Sequence, residues 1–260
     1  MARPAGLTVE DVTLQIGEVS ILEHVSIEVA AGSAVGLIGA NGSGKSSLLN
    51  VISGYYKPSH GRVLVNGQET MGLSPDRVTA RGVGRSFQSI GRMQDLTVRE
   101  YVTLGFEPVW KVGRVASMFG FPRSIKAERE AFAASDQIIL DFGIEEYAHT
   151  VLRECPYGVR KIADLLRAVI SKPSVLLLDE PTSGVAASDR QMIAGLIDQW
   201  RARSSCSLVL VDHDVSFVAD LVEEMVALSA GHVIGAGRPA DVLRNAQVMA
   251  TFVGESGTDE

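Results

Sequence analysis

Gly39-Ala40-Asn41-Gly42-Ser43-Gly44-Lys45-Ser46 satisfies the pattern G-x-x-x-x-G-K-[ST] at every fixed position. On its N-terminal side, Ser33-Ala34-Val35-Gly36-Leu37-Ile38 is a short apolar run suited to a buried parallel strand. On its C-terminal side, Ser47-Leu48-Leu49-Asn50-Val51-Ile52 reads as a helix closed by Gly54. Strand, small-residue loop and helix in that order make a phosphate cradle. Successive backbone N–H groups can curl round an anion only where side chains are small, and a helix N-terminus adds partial positive charge. The loop, with Ser47 directly behind it, is therefore expected to hold a nucleoside triphosphate. Lys45 is expected to bring a point charge to the outer phosphates and the Ser46 hydroxyl to ligate Mg²⁺.

The 260 residues are 46% hydrophobic and carry a formal net charge of −7. That suits one large α/β unit, or a core with an inserted subdomain, and argues against a surface that wraps nucleic acid. The cysteines, Cys155 and Cys206, have no spacing for zinc or a disulfide framework, as expected in a reducing cytosol. The opening Met1-Ala2-Arg3-Pro4-Ala5-Gly6 lacks an apolar signal core. No window reaches the ~20 apolar residues of a membrane span, so any membrane role is expected to be that of a peripheral subunit.

Outward from the loop, Leu7 to Leu14 and Val25 to Val29 alternate as half-buried strands do, and Gly61 to Gly67 offers another such run bounded by glycines. These are expected to form an antiparallel sheet beside the parallel core. After Arg81, a short strand leads to Gln88, whose neutral carbonyl is suited to a place near the metal and an attacking water. Taken alone, a glutamine there is more often a solvated loop residue. Residues 105–124 interleave Phe106, Trp110, Met118, Phe119 and Phe121 with Lys111, Arg114 and Arg123. Such a mixture makes either a docking surface or a small satellite core. Ala127 to Phe142 follows a helical period and Gly143 stops it. The expected organisation is a nucleotide core over residues 1–104, a helical insertion over 105–171, the rest of the core over 172–253, and a disordered tail over 254–260.

Two apolar runs return the chain to the parallel sheet. Val175-Leu176-Leu177-Leu178 ends in Asp179-Glu180-Pro181, and Leu208-Val209-Leu210-Val211 ends in Asp212-His213-Asp214. Charge at the C-terminal edge of buried strands is where α/β sheets bind ligands. Asp179 is placed to hold Mg²⁺ through water, and Glu180 to polarise a water in line with the terminal phosphate. His213 is placed to contact that phosphate or to orient Glu180, although a lone histidine after a strand is usually structural. A hairpin follows, from Met225 through Ala230-Gly231 to Gly235.

Together these motifs resemble one family, the nucleotide-binding subunits of ATP-binding-cassette (ABC) transporters. The phosphate loop, a Q-loop glutamine at Gln88, the strand ending Asp179-Glu180 and a switch histidine at His213 stand in that family's order. The nearest likeness is to the ATPase subunits of branched-chain amino acid importers. It rests on Arg85-Ser86-Phe87-Gln88, Leu96-Thr97-Val98-Arg99-Glu100, Val211-Asp212-His213-Asp214, the run from Gly237 to Val242 and the closing Phe252-Val253-Gly254. The resemblance implies a P-loop ABC ATPase core, mostly parallel, with an antiparallel β-subdomain and a helical subdomain. It further implies ATP and Mg²⁺ as cofactors, with Ser46, Gln88 and Asp179 around the metal and Glu180, His213 and Gln88 as the catalytic set. Partners would be transmembrane permease subunits, a second ATP-binding subunit and, indirectly, an extracytoplasmic solute-binding protein, with no nucleic acid. The location implied is the cytoplasmic face of the bacterial inner membrane.

The chain departs from the family at three recognition elements. Cys155-Pro156-Tyr157-Gly158-Val159 stands where a signature like L-S-G-G-Q or L-A-Y-G-Q is expected, ahead of a helix expected over Arg160 to Ser171. Pro156 replaces the serine that should reach a partner's γ-phosphate, a hydrogen bond to a charged group worth roughly 1.5–3 kcal/mol. Ala186 falls where an acidic or amide residue is expected, with Asp189 three positions late, and Ile16 stands where an aromatic ring often meets the base. A heterodimer follows as the expectation, with a homodimer of two slow sites as its alternative. Against an importer ATPase stands a nucleotide-gated clamp or regulatory cassette with little hydrolysis. Glu180 favours the enzyme, because a clamp needs no general base there.

Overall fold

The computed structural model describes residues 5–86, 91–106 and 122–253. Within them, β1 (Ala5–Ile16), β2 (Val19–Ala30), β4 (His60–Val65) and β5 (Gln68–Glu69) form an antiparallel sheet in the order β2-β1-β4-β5. The simple alternation expected from Leu7 to Leu14 does not run straight through. Its buried positions are Leu7 and Val9, then Val12 and Leu14, so the parity changes once. The backbone absorbs the change with a register shift between Val9 and Val12, where Asp11 takes a φ of 51°.

The second sheet contains β3 (Ala34–Ile38), β6 (Val83–Arg85), β7 (Val175–Asp179), β8 (Ser207–Val211), β9 (Glu224–Ser229) and β10 (His232–Gly237). Its order is β10-β9-β3-β8-β7-β6, parallel except for β10. The expected hairpin from Met225 to Gly235 is present, and its first strand also joins the parallel sheet beside β3. Every residue of β3, β7 and β8 is buried, which explains why these strands read as continuous apolar runs. Alternate residues serve opposite faces. Ala34, Ile38, Leu176, Leu178, Leu208 and Leu210 belong to a core shared with the helices after β6, whereas Val35, Leu37, Val175, Leu177, Val209 and Val211 pack with α1 (Lys45–Ile52) and the antiparallel sheet.

Further helices include α2 (Pro75–Ala80), α3 (Val98–Thr103), α4 (Pro122–Asp141), α5 (Tyr157–Val169), α6 (Ala187–Arg203) and α7 (Val215–Leu221). Thr97 and Glu100 form a capping box that starts α3. The helix expected from Arg160 to Ser171 begins earlier, at Tyr157, and ends at Val169. Pro156, with φ −51° and ψ 150°, is extended and cannot donate a backbone hydrogen bond, so it suits the cap rather than the body of a helix. Gln88, residues 107–121 of the aromatic and basic stretch, and the tail 254–260 lie outside the described residues. No helix among the described residues is long and apolar enough to cross a membrane.

Candidate active site

The loop between β3 and α1 takes its shape from backbone that only glycine adopts freely. Gly44 stands at φ 108° directly before the helix, and a Cβ there would lie 2.7 Å from Leu22 Cδ2. A Cβ on Gly39 would collide with the Leu228 carbonyl, so the loop closes on the β9–β10 hairpin. Gly231 N–H donates to Ser43 O at 3.1 Å, and Glu23 N–H to Gly231 O at 2.9 Å, which ties the loop to that hairpin and to β2. Lys45 is folded back, with Nζ 2.6 Å from Gly39 O and 2.8 Å from Ala40 O. The cation therefore already stands inside the cradle. Asn41, Gly42 and Ser46 are exposed on its rim, and Ser43 and Lys45 are buried beneath.

One row of the parallel sheet sets the opposite wall. Leu37 pairs with Val211, and Val211 with Asp179, so the ends of β3, β8 and β7 are level. The residues that follow, from Ile38 into the loop, Asp212-His213 and Glu180, come together at one edge. Glu180 N–H donates to Val211 O at 2.8 Å while its φ is 52°, a left-handed turn that a glutamate rarely takes. His213 Nε2 lies 2.8 Å from Glu180 Oε1, with the glutamate side chain 9% exposed and the imidazole 52%. Lys161 Nζ donates to Glu180 O at 2.9 Å. The two groups read separately in the sequence thus form one hydrogen-bonded pair, exposed on the histidine side. Asp212, which sequence reasoning left unassigned, accepts from Thr182 N–H and Oγ1 at 3.1 and 2.6 Å and from Asp214 N–H at 3.1 Å, bracing the turn after Glu180.

Asp179 closes β7 and is buried. Arg85 Nη2 meets its Oδ2 at 3.1 Å, and its backbone N–H donates to Ser86 Oγ at 3.0 Å. Oδ1 is buried and has no hydrogen-bond partner among the described residues. Burial pushes the Asp179 carboxyl upward, and the Arg85 guanidinium opposes that rise. A buried acceptor left open beside a phosphate loop fits a hard cation that takes oxygen ligands, and Ser46 on the exposed rim is a second oxygen of the same kind. The pair fits Mg²⁺, which would screen phosphate charge when bound.

The signature-like loop packs beside the segment that follows Glu180, since Lys161 Nζ, which bonds Glu180 O, also lies 5.7 Å from the centroid of the Tyr157 ring. Cys155 and Val159 are buried in the helical core, so Val159 serves packing rather than recognition. Pro156 caps α5 without a side-chain hydrogen bond. Tyr157 is exposed, lies under the Arg160 guanidinium at 5.1 Å from its centroid, and stands against Gly184, where a Cβ would be 3.2 Å from its ring. Gly158 faces Asp189, whose Oδ2 would be 2.8 Å from a Cβ there. The late-lying Asp189 thus sits against the same chain's α5. Ile16 is 48% exposed and pairs across the β1–β2 turn with Val19, itself 61% exposed, so the hairpin tip is aliphatic. Val19 belongs to the tip as much as Ile16 does, and the β-branched pair flanking Gly17-Glu18 is its signal in the sequence.

A family model for the ABC transporter matches residues 22–183, more than half of the chain. The chain belongs to the ABC transporter ATP-binding family. This ABC ATPase is 26% identical over 256 residues to the high-affinity branched-chain amino acid transport ATP-binding protein BraF of Pseudomonas aeruginosa, covering 98% of this chain and 100% of that one. It is 30% identical over 231 residues to the probable sulfate/thiosulfate import ATP-binding protein CysA of Chlorella vulgaris, covering 89% and 90%. Its fold matches a crystal structure of the ADP conformation of an ATP-binding cassette of an ABC transporter, with a TM-score of 0.83 and 26% identity over 96% of this chain and 99% of that one. The expected fold and ATPase activity are thereby established. The matched residues of the family model include the loop, Asp179 and Glu180, while His213 lies beyond them.

Proposed function

We propose that this ABC ATPase is the ATP-binding subunit of an importer, and that Glu180 is its general base. The observation that carries the reading is the Glu180–His213 pair, 2.8 Å apart at the sheet edge that also carries the phosphate loop and the open Asp179 oxygen. Glu180 accepts a proton from the attacking water, and His213 holds the carboxylate in place from its exposed side. Lys45 leaves the loop carbonyls for the phosphates, which supply a stronger, charged acceptor. Ser46 and, through water, Asp179 would hold Mg²⁺. Gln88 is assigned to the same chemistry by its place in the motif order.

The nucleotide's open side is covered by a second ATP-binding subunit, and a transmembrane permease pair completes the assembly at the cytoplasmic face of the membrane. A cleft of about 270 Å³ beside Tyr55, Arg85, Gly105 and Arg167 adjoins β6, the strand that leads to Gln88, and offers the permease a surface. The solute is a branched-chain amino acid or a related small molecule; the likeness to BraF supports it, and the likeness to CysA keeps oxyanions as the competing class. A heterodimer is favoured over a homodimer. Pro156 has no hydroxyl for a partner's phosphate, yet Lys45, Ser46, Asp179, Glu180 and His213 keep this chain's own half-site whole.

Replacing Glu180 with Gln keeps the shape of the His213 contact and removes the base. Turnover is expected to fall by roughly 10²–10⁴ with ATP still bound and the dimer closed; unaltered turnover would refute the assignment. Turnover per subunit is expected to rise when the partner subunit is added to the purified chain. Equal turnover with and without it would remove the reason for proposing a heterodimer.

A further inference from the structure

Arg85 is a largely covered cation whose contacts none of the motifs requires. Its side chain is 11% exposed, and its guanidinium acts as a fork. Nη1 donates to Asn50 Oδ1 at 2.8 Å and to Ser53 Oγ at 2.6 Å, both at the C-terminal end of the helix that begins with Lys45. Nη2 donates to Asp179 Oδ2 at 3.1 Å. The Tyr55 ring lies 5.8 Å from the guanidinium carbon. Its own backbone carbonyl accepts from Arg167 Nη2 at 2.9 Å, which fixes the strand from which the side chain projects.

We propose that Arg85 is a positioning residue for the metal: it pins one oxygen of Asp179 so that the other, Oδ1, stays open towards Mg²⁺. Two physical points support this over a plain structural ion pair. A carboxylate held only for stability would use both oxygens in so dry a place, yet here one is clamped and the other is left buried without a partner among the described residues. The clamp also reaches across to the end of α1, so the element that presents Ser46 and the strand that presents Asp179 are held at one separation by a single planar group. A lysine, with one compact head, cannot span both. Groups that orient a metal ligand from behind carry about 10–100-fold in metal affinity.

The inference rests on the reading of Asp179 as a metal ligand, and the test separates the two. Binding of a fluorescent ATP analogue to the full chain is titrated with Mg²⁺, and again in the presence of a chelator, for Arg85→Met, Arg85→Lys, Asp179→Asn and the double variant Arg85→Met/Asp179→Asn. Arg85→Met is expected to raise the Mg²⁺ needed for half-maximal effect by about ten-fold or more, with chelator-phase affinity unchanged. In the Asp179→Asn background it is expected to add nothing, because the oxygen it orients is gone. If Asp179→Asn raises the Mg²⁺ requirement and the Arg85 variants do not, Arg85 has no positioning role. If Asp179→Asn leaves the requirement unchanged, the metal assignment itself fails. A loss of Mg²⁺-free affinity equal to the loss with Mg²⁺ would reduce Arg85 to a structural tie and overturn the proposal. Should Arg85→Met fail to fold by circular dichroism, Arg85→Lys decides the same question, since it keeps the charge and loses the fork.

Discussion

Removing the Tyr101 hydroxyl tests how the helical part is held to the strand that leads into Gln88. Tyr101, on α3, is fully buried and donates to Asp164 Oδ1 on α5 at 2.7 Å. Arg167 contacts the same oxygen with Nε at 3.1 Å and Nη2 at 2.8 Å, contacts Tyr101 Oη at 3.2 Å, and reaches Arg85 O at 2.9 Å. Burial and the neighbouring carboxylate push the phenol well above its usual range, so it stays a donor throughout the working pH range. Tyr101→Phe removes the hydrogen bond to the charged Asp164 acceptor and the longer one its oxygen accepts from Arg167 Nε, which Arg167 Nε also shares with Asp164, so the loss falls within the ~1.5–3 kcal/mol span, and the change leaves no space larger than an oxygen. Because Arg167 still neutralises Asp164, the lower half of that span applies, and about 2 kcal/mol corresponds to a fall of roughly 4–8 °C in Tm for a chain of this size. Asp164→Asn strips the charge from a pair in which both side chains are almost buried, 12% and 3% exposed, and is expected to cost about 3–5 kcal/mol. Urea unfolding followed by circular dichroism measures both. A Tyr101→Phe variant within about 0.5 kcal/mol of the parent, or one costlier than Asp164→Asn, would refute the account of this network.

Ile16→Tyr places a ring at the exposed hairpin tip, where base stacking is worth about 1–3 kcal/mol. Nucleotide titration should then show ATP binding about ten-fold tighter, and no tightening would remove base recognition from this turn. Burial pushes the Cys206 thiol up to about 12 and raises that of Cys155 as well. A maleimide at neutral pH should therefore leave both cysteines of the folded chain unlabelled and modify both in urea, and fast labelling of the native protein would contradict the burial. The Asp11 carboxyl is held below its usual value, chiefly by a hydrogen bond from His24 and also by His60. A depressed folded-state value means that this contribution is present above the unfolded carboxylate's value and lost as pH falls through the folded one. Asp11→Asn should flatten the acid limb of urea midpoint against pH below about 4, and an unchanged slope would show the His24–Asp11–His60 cluster to be idle.

Chemistry that local covalent order creates is readable residue by residue. Small residues, Lys45 and Ser46 must be neighbours to cradle phosphate, and a strand covered on both faces must read as an apolar run, so the loop, β3, β7 and β8 were legible one after another. The single alternating strand expected from Leu7 to Leu14 was legible only in part, because its bulge at Asp11 shows only as a change of parity. Which polar groups meet depends on how distant strands are ordered and aligned. The row Leu37–Val211–Asp179 brings Glu180 against His213, and a contact across 94 positions of chain brings Arg85 against Asp179. Hydrogen bonds of that kind depend on strand order and register, which no short window of residues encodes.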